Sequence, residues 1–438
     1  MAGKALLKNI LPPRQLAGEI SVPGDKSVSH RALILNSLAI GKSQITNLSP
    51  GKDCLSTLHC LKALGVKITR QQDSSTTVYI DGAGNRGLIE ADNILNAGNS
   101  GTTIRLLSGV LAAQPFLSVL TGDRSLRSRP MKRLIEPLTA MGAEIHGRDN
   151  DSLAPLVIKG KKLHGIEYIL KVPSAQIKSA ILLAGLFASS GETMIKQVQA
   201  SRDHTERMLK LMGAELQSKD KVISLRHLKT PLNPVNLHIP GDISSAAYWL
   251  VAGAIHPDAD ITIINCGINP TRTGIIDVLM AMGARLTINN RRISGNEPVA
   301  DLHVESSHLK GITIGGELIP RLIDEIPLMA VAACVAEGKT VIKDAGELRV
   351  KESDRIASTI KELRRLGAGI EELPDGMVIQ GGTRLAGNAV QSHGDHRLAM
   401  SLAVAGLVAR GKTSIHNADA VEISNPNFWR ELGQLTRG

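Results

Sequence analysis

The feature that most constrains this chain is an internal repeat. A Leu/Met-Gly-x-x-aliphatic signature recurs at Leu64-Gly65-Val66-Lys67-Ile68, Met141-Gly142-Ala143-Glu144-Ile145, Met212-Gly213-Ala214-Glu215-Leu216, Met282-Gly283-Ala284-Arg285-Leu286 and Leu366-Gly367-Ala368-Gly369-Ile370, with a weaker sixth copy at Leu432-Gly433-Gln434-Leu435. The glycines stand 77, 71, 70, 84 and 66 residues apart. Self-similarity of this kind reports one supersecondary unit copied along the chain. Each glycine occupies the place where a helix closes on a left-handed residue before the chain turns into a strand.

An apolar, small-residue stretch precedes each signature, at Ser27 to Ala39, Ser100 to Ala113, Ser174 to Ala188, Ser244 to Ile255, Glu325 to Ala336 and His396 to Ala409. These read as buried helices. Four of them lead into a glycine and a β-like run, beginning at Gly41, Gly191, Gly338 and Gly411. The unit is therefore strand, apolar helix, strand, amphipathic helix and strand pair, and six such units fill the chain as an α/β protein. Val22-Pro23-Gly24-Asp25-Lys26-Ser27 and Ile239-Pro240-Gly241-Asp242-Ile243-Ser244 share a Pro-Gly-Asp-x-Ser core 217 residues apart, three units on. Pro-Gly marks a turn, and the Asp or Ser after it can cap the next helix. Two domains follow, residues 24–240 and residues 1–23 with 241–438. A solenoid is disfavoured because its repeats run ~20–45 residues, and 438 residues exceed what one hydrophobic core holds.

Two nucleotide-site patterns fail in context. Gly82-Ala83-Gly84-Asn85-Arg86-Gly87 matches a dinucleotide fingerprint, but no long helix follows and no acid stands at the offset that ribose binding needs, so a hairpin turn is expected. Gly406 to Thr413 matches a phosphate-binding loop, yet a helix precedes it and a strand follows, the reverse of what that loop requires.

Composition narrows the function classes. A net charge of +10 with 42% apolar residues excludes a disordered chain. The longest apolar stretches, such as Leu398 to Ala409, fall short of a membrane span, and the N-terminus has no uninterrupted apolar region of an export signal. Only eight Phe, Tyr and Trp residues exist and no run of five basic residues occurs, which argues against a nucleic-acid platform and for small anionic ligands. Cys54, Cys60, Cys266 and Cys334 form no CxxC pair, so a reducing cytoplasm is expected.

Basic and small polar residues gather at helix beginnings: Lys26, Ser27 and Arg31 at the first, and Asn99 to Thr103 with Arg105 at another. Helix N-termini offer unpaired N–H groups to phosphate and carboxylate. Arg124, Arg127 and Arg129 crowd one loop, where they repel unless an anion or solvent neutralises them. Lys351 to Arg355 holds the same place in its own repeat; Asp324-Glu325 and His393 to Arg397 each open an apolar helix. Taken singly, each also fits a purely structural cap or a solvated loop.

Together these segments carry a family. Pro23 to Arg31 (PGDKSVSHR), Leu95 to Leu107 (LNAGNSGTTIRLL), Arg127 to Met131 (RSRPM), Pro173 to Ala180 (PSAQIKSA), Lys351 to Ile356 (KESDRI) and Gly394 to Ala399 (GDHRLA) resemble, in order, the 5-enolpyruvylshikimate-3-phosphate synthases. The resemblance implies two domains, each of three βαβαββ units about a pseudo-threefold axis, the inside-out α/β barrel of enolpyruvyl transferases, closing on substrates. It implies transfer of the enolpyruvyl group of phosphoenolpyruvate to the 5-hydroxyl of shikimate 3-phosphate with release of phosphate, in chorismate and aromatic amino-acid biosynthesis. No metal or organic cofactor, nucleic acid or membrane is implied, and a cytoplasmic monomer is expected.

By position, Lys26, Ser27, Arg31, Ser174, Ala175, Gln176, Ser201, Arg202, Asp324 and Lys351 would meet shikimate 3-phosphate. Lys26, Gly101, Arg129, Gln176, Arg355 and Arg397 would hold phosphoenolpyruvate. Asp324 resembles the proton acceptor near the 5-hydroxyl, Glu352 the acid that protonates the enol carbon, and Lys26 completes the catalytic set. Two departures stand out: Ile423 replaces a lysine often found near the C-terminus, and Leu106 replaces a proline after the glycine-rich motif. Both resemble the divergent subclass known for weaker glyphosate inhibition. The rival readings are a transferase acting on UDP-N-acetylglucosamine, disfavoured because the region around Arg124 lacks a cysteine, and a basic nucleic-acid or RNA-end-processing protein.

Overall fold

The computed structural model describes residues 6–84 and 87–436. It contains two compact units. Unit A comprises Gly24–Ile239 and the short segment Ser294–Glu297; unit B comprises the N-terminal segment through Pro23, Pro240–Ile293 and the residues from Pro298 on. Residues 294–297 depart from the expected boundaries because of what they touch. Asn296 exchanges two hydrogen bonds with Arg207, its side-chain amide donating to the Arg207 carbonyl and its carbonyl accepting from the guanidinium, while Glu297 Oε1 lies 2.8 Å from His204 Nδ1.

Three apolar helices form the middle of each unit: Lys26–Leu38, Gly101–Leu111 and Ala175–Gly185 in unit A, and Ile243–Ile255, Ile326–Val335 and His396–Gly406 in unit B. Their residues are buried on nearly every face, so they cannot show the polar stripe of a surface helix. Five of the six begin on a side-chain cap. Asp25, Ser100, Ser174, Asp242 and Asp395 each accept from a backbone N–H of the first turn, which satisfies donors otherwise left unpaired at a buried helix start. Small residues set the spacing of these helices. A Cβ on Gly109 would stand 2.3 Å from the Ala180 carbonyl oxygen, so only glycine permits that crossing.

The sheets lie outside the helices, and each full one repeats one pattern. In unit A the four-stranded sheets place Ile40–Thr46, Leu117–Thr121 and Glu192–Gln197 between a short parallel strand and an antiparallel pair. Alternating burial along Val222–Arg226 and Glu297–Glu305 turns one face onto the helices. The expected left-handed glycines occur at Gly65, Gly142, Gly213, Gly283 and Gly367 with φ between +87° and +100°.

The sixth repeat differs. Gly433 lies inside the helix Phe428–Leu435 rather than after one, and the sheet has three strands, in which Thr413–His416 pairs with Ala389–Gln391 and, antiparallel, with Lys8–Ile10 from the start of the chain. The phosphate-loop pattern resolves into the end of the helix His396–Gly406 followed by the strand Thr413–His416. The Gly82 to Gly87 pattern begins in the strand Ser74–Ala83, and its Asn85 and Arg86 lie outside the described residues. Each unit has its own continuous apolar core. No helix among the described residues is long and apolar enough to cross a membrane.

Candidate active site

In unit A the ends of the three central helices bring basic groups together. Lys26 Nζ pairs with Asp53 Oδ2 at 2.9 Å. Arg31 is buried and donates to the Ser27 carbonyl at 2.9 Å, to Thr205 Oγ1 at 2.6 Å and to Ser179 Oγ at 2.7 Å. Burial lowers its affinity for a proton to a pKa of about 10, with Glu206 opposing the shift. Between these two cations on the helix is His30, whose Nδ1 bonds Thr57 Oγ1 at 2.7 Å. Burial, with Lys26 and Arg31 nearby, depresses the imidazole well below its ordinary range, so His30 is neutral.

A second set surrounds the start of Gly101–Leu111. Arg105 donates to Gln176 Oε1 at 2.6 Å, and Gln176 Nε2 donates to Thr102 Oγ1 at 2.9 Å, which ties the glycine-rich segment to the Ser174 turn. A Cβ on Gly101 would lie 2.8 Å from Arg105 and 3.2 Å from Arg129, in each case from Nη1. Glycine therefore keeps the backbone bare between two guanidinium groups. Arg127 is half-buried and donates to the Gly122 carbonyl at 3.1 Å, and of the three crowded arginines the most enclosed is Arg129. It is buried and donates to Asn99 Oδ1 at 2.7 Å, whereas Arg124 is exposed. Ser174 is the helix cap, Ala175 the first helical residue, and Ser201 donates to Gln197 Oε1 at 2.7 Å. Arg202 follows in the same irregular segment, its charge felt at Arg31.

Unit B carries the acids. Arg355, at the start of the helix Arg355–Arg365, is 2% exposed and reaches three carboxylates: Asp395 at 2.8 Å, Glu352 at 2.6 Å and Asp324 at 3.3 Å. Burial works against its charge, but Asp395, Glu352 and Asp324 together raise its pKa, so it stays a cation. Burial likewise works against an ionised Asp395, and Arg355 nonetheless holds that carboxyl below its ordinary value. Asp324 and Glu352 keep 17% and 14% of their side chains in contact with solvent, so unlike Asp395 they are open to a ligand. Arg397 is buried, donates to the Ser244 carbonyl at 3.4 Å and feels the charges of Asp324 and Glu325. Lys351 immediately precedes Glu352 and is partly exposed.

The site residues named from sequence thus fall into two clusters, one in each unit. Unit A gathers Lys26, Ser27, Arg31, Gly101, Arg129, Ser174, Ala175, Gln176, Ser201 and Arg202; unit B gathers Asp324, Lys351, Glu352, Arg355 and Arg397. Sequence reasoning missed the partners. Nothing in the sequence singled out Asp53 or Glu206, and Asp395 was visible inside GDHRLA without a role.

These clusters occur on a chain whose relatives are known. The family pattern of EPSP synthase (3-phosphoshikimate 1-carboxyvinyltransferase) matches residues 10–432. The 3-phosphoshikimate 1-carboxyvinyltransferase of Herpetosiphon aurantiacus is 55% identical over 424 residues, 96% of this chain and 97% of that protein. That of Gloeobacter violaceus is 55% identical over 428 residues, 98% of each. The solved EPSP synthase of Acinetobacter baumannii superposes with a TM-score of 0.88 at 43% identity, covering 99% of this chain and 98% of that one. The enolpyruvyl transferase NikO of Streptomyces tendae shares the fold, with a TM-score of 0.80 at 17% identity over 99% of this chain and 98% of its own. Neither the UDP-N-acetylglucosamine nor the nucleic-acid reading is favoured by these matches. Matched along nearly its whole length, the chain belongs to the EPSP synthase family, the 3-phosphoshikimate 1-carboxyvinyltransferases.

Proposed function

We propose that the two clusters divide the transfer of the enolpyruvyl group from phosphoenolpyruvate to the 5-hydroxyl of shikimate 3-phosphate into anion binding and proton movement. The observation that carries this reading is the grouping of Asp324 and Glu352 on one buried guanidinium, Arg355, since it sets two solvent-accessible carboxyls beside a fixed cation. Addition of an alcohol across an enol double bond needs a proton removed from oxygen and one delivered to carbon, and elimination of phosphate then needs a proton removed from that carbon. Asp324 takes the hydroxyl proton, and Glu352 supplies the proton to the methylene carbon and, as the carboxylate this leaves, takes one back from it as the C–O bond to phosphate breaks. The carboxylate of phosphoenolpyruvate, on accepting from Arg355 and Arg397, replaces Glu352 as a partner of Arg355 and releases it to carry the proton. Bidentate guanidinium groups suit both carboxylate and phosphate.

Shikimate 3-phosphate is held by Lys26, Ser27, Arg31, Ser174, Ala175, Gln176, Ser201 and Arg202, with Asp324 and Lys351. Phosphoenolpyruvate is held by Lys26, Gly101, Arg129, Gln176, Arg355 and Arg397. Lys26 serves both, since an ammonium is a compact charge with three donors. Its pairing with Asp53 keeps it oriented at the helix start. The four cysteines are buried free thiols, in keeping with a reducing cytoplasm, and a single-chain mass in light scattering would support a monomer. Leu106 is fully buried and Ile423 offers no charge; weak glyphosate inhibition follows from the absent cation, and competitive inhibition at micromolar concentration would contradict it.

The test is phosphate release from phosphoenolpyruvate with shikimate 3-phosphate, beside UDP-N-acetylglucosamine as the other acceptor and with Asp324→Ala as control. Release with shikimate 3-phosphate alone, lost in the variant, supports the reading. Release with neither acceptor from folded protein rejects it.

A further inference from the structure

An ion pair that the transfer chemistry does not use is enclosed by the helices Ala175–Gly185 and His204–Leu211 of unit A. Lys178 Nζ lies 2.6 Å from Glu206 Oε1, with the two side chains 1% and 5% exposed. Lys178 also donates to the Ser201 carbonyl at 3.2 Å. The second carboxylate oxygen of Glu206 is buried without a hydrogen-bond partner, and its charge acts on Arg31. A buried pair is a poor source of stability, because apolar residues of similar volume serve as well or better once desolvation is counted. Its position offers a better account. Between the strand Glu192–Gln197 and the helix His204–Leu211 the chain has no regular structure of its own, and this segment carries Ser201 and Arg202. Gln197 holds Ser201 from one side through two hydrogen bonds, and Lys178 holds its carbonyl from the other. Arg31 is fixed from the same two helices by Ser179 and Thr205, whose hydroxyls bond each other at 2.6 Å.

We infer that Lys178 and Glu206 are positioning residues for the phosphate of shikimate 3-phosphate. Lys178 fixes the Ser201–Arg202 segment by its backbone, and Glu206 balances Lys178 on one side and Arg31 on the other. The inference rests on the proposed function, since Ser201, Arg202 and Arg31 are assigned there to the same ligand. Lys178→Met leaves the Ser201 carbonyl unanchored and takes from Glu206 its ion-pair partner, with the charge of Arg31 still acting on it. In Lys178→Met/Glu206→Leu the buried ion pair is replaced by apolar packing, so folding is preserved while the anchor stays absent.

Calorimetric titration of shikimate 3-phosphate into wild type and both variants tests this, with Tm and steady-state constants measured alongside. Expected are a loss of affinity for shikimate 3-phosphate of about tenfold or more in both variants, with KM for phosphoenolpyruvate at saturating shikimate 3-phosphate and kcat each within about threefold of wild type. The double variant regains the wild-type Tm without regaining affinity. A double variant that binds within about twofold of wild type overturns the inference alone, because a merely structural pair predicts that result. A wild type that fails to bind shikimate 3-phosphate overturns the proposed function and the inference with it.

Discussion

Replacing Gly101 by alanine sets backbone stability and ligand binding in opposite directions. Gly101 opens the helix Gly101–Leu111, so a methyl group there favours the helix by up to ~1 kcal/mol, less at a first turn than in the interior. That methyl would sit 2.8 Å from Arg105 Nη1 and 3.2 Å from Arg129 Nη1. Ordinary contact begins near ~3.5 Å, so Arg105 must retreat by roughly 0.7 Å and Arg129 by about half that. Both are ends of flexible side chains, and the fold absorbs the change. Yet the Arg105 nitrogen that moves is the one that holds Gln176 at 2.6 Å, and Arg129 is assigned to phosphoenolpyruvate. Lengthening one charge-assisted hydrogen bond costs about 1.5–3 kcal/mol, or roughly 10- to 100-fold in KM. Steady-state kinetics with phosphoenolpyruvate varied at saturating shikimate 3-phosphate, beside a melting curve, measure both quantities. A raised KM for phosphoenolpyruvate with an unchanged or higher Tm is expected; a KM within about twofold of wild type would refute the reasoning.

Three further expectations follow from the same geometry. Arg397→Ala should weaken phosphoenolpyruvate more than shikimate 3-phosphate, and calorimetry that finds the reverse order would overturn the assignment of Arg397. Asp395→Asn removes the buried carboxylate that compensates Arg355, so the urea midpoint should fall by an amount equivalent to about 3–5 kcal/mol; an unmoved midpoint would show that Glu352 and Asp324 suffice. Glu431 is buried, accepts from Trp249 Nε1 and Asn425 Nδ2, and burial pushes its carboxyl up to about 7 against those two hydrogen bonds. Its folded pKa exceeds the unfolded value of ~4.3, so the folded chain keeps the proton that the unfolded one releases, and stability falls by on the order of 3 kcal/mol as pH rises from ~4.3 to about 7. Glu431→Gln should abolish that decline in denaturant titrations across this window and raise stability at pH 8; a slope equal to that of wild type would refute it.

The repeat, the helix starts and the glycine turns were legible in the sequence because each arises from interactions within a few residues. Asp25, Ser100 and Asp242 cap helices whose backbone they adjoin, and Gly65, Gly142, Gly213, Gly283 and Gly367 all adopt the positive φ their position requires. The weak sixth copy misled for the same reason. Its glycine has the right neighbours, but the strand that completes that sheet, Lys8–Ile10, comes from the other end of the chain, and no local pattern at Gly433 could report it.

The candidate site divides along similar lines. Sequence spacing placed arginines, lysines and acids at helix beginnings, where ligand anions are favoured, and the family motifs named which of them to follow. Packing alone decided that Arg129 turns inward while Arg124 stays in water, that Lys26 meets Asp53, and that Arg355 meets Asp395 forty positions along the chain. Turns, caps and amphipathic periods are set by bonded neighbours and so were determined by the sequence as read. Which charges become buried, and which opposite charge then offsets their lost hydration, depends on elements distant in sequence docking at fixed separations, and only the tertiary structure decided it.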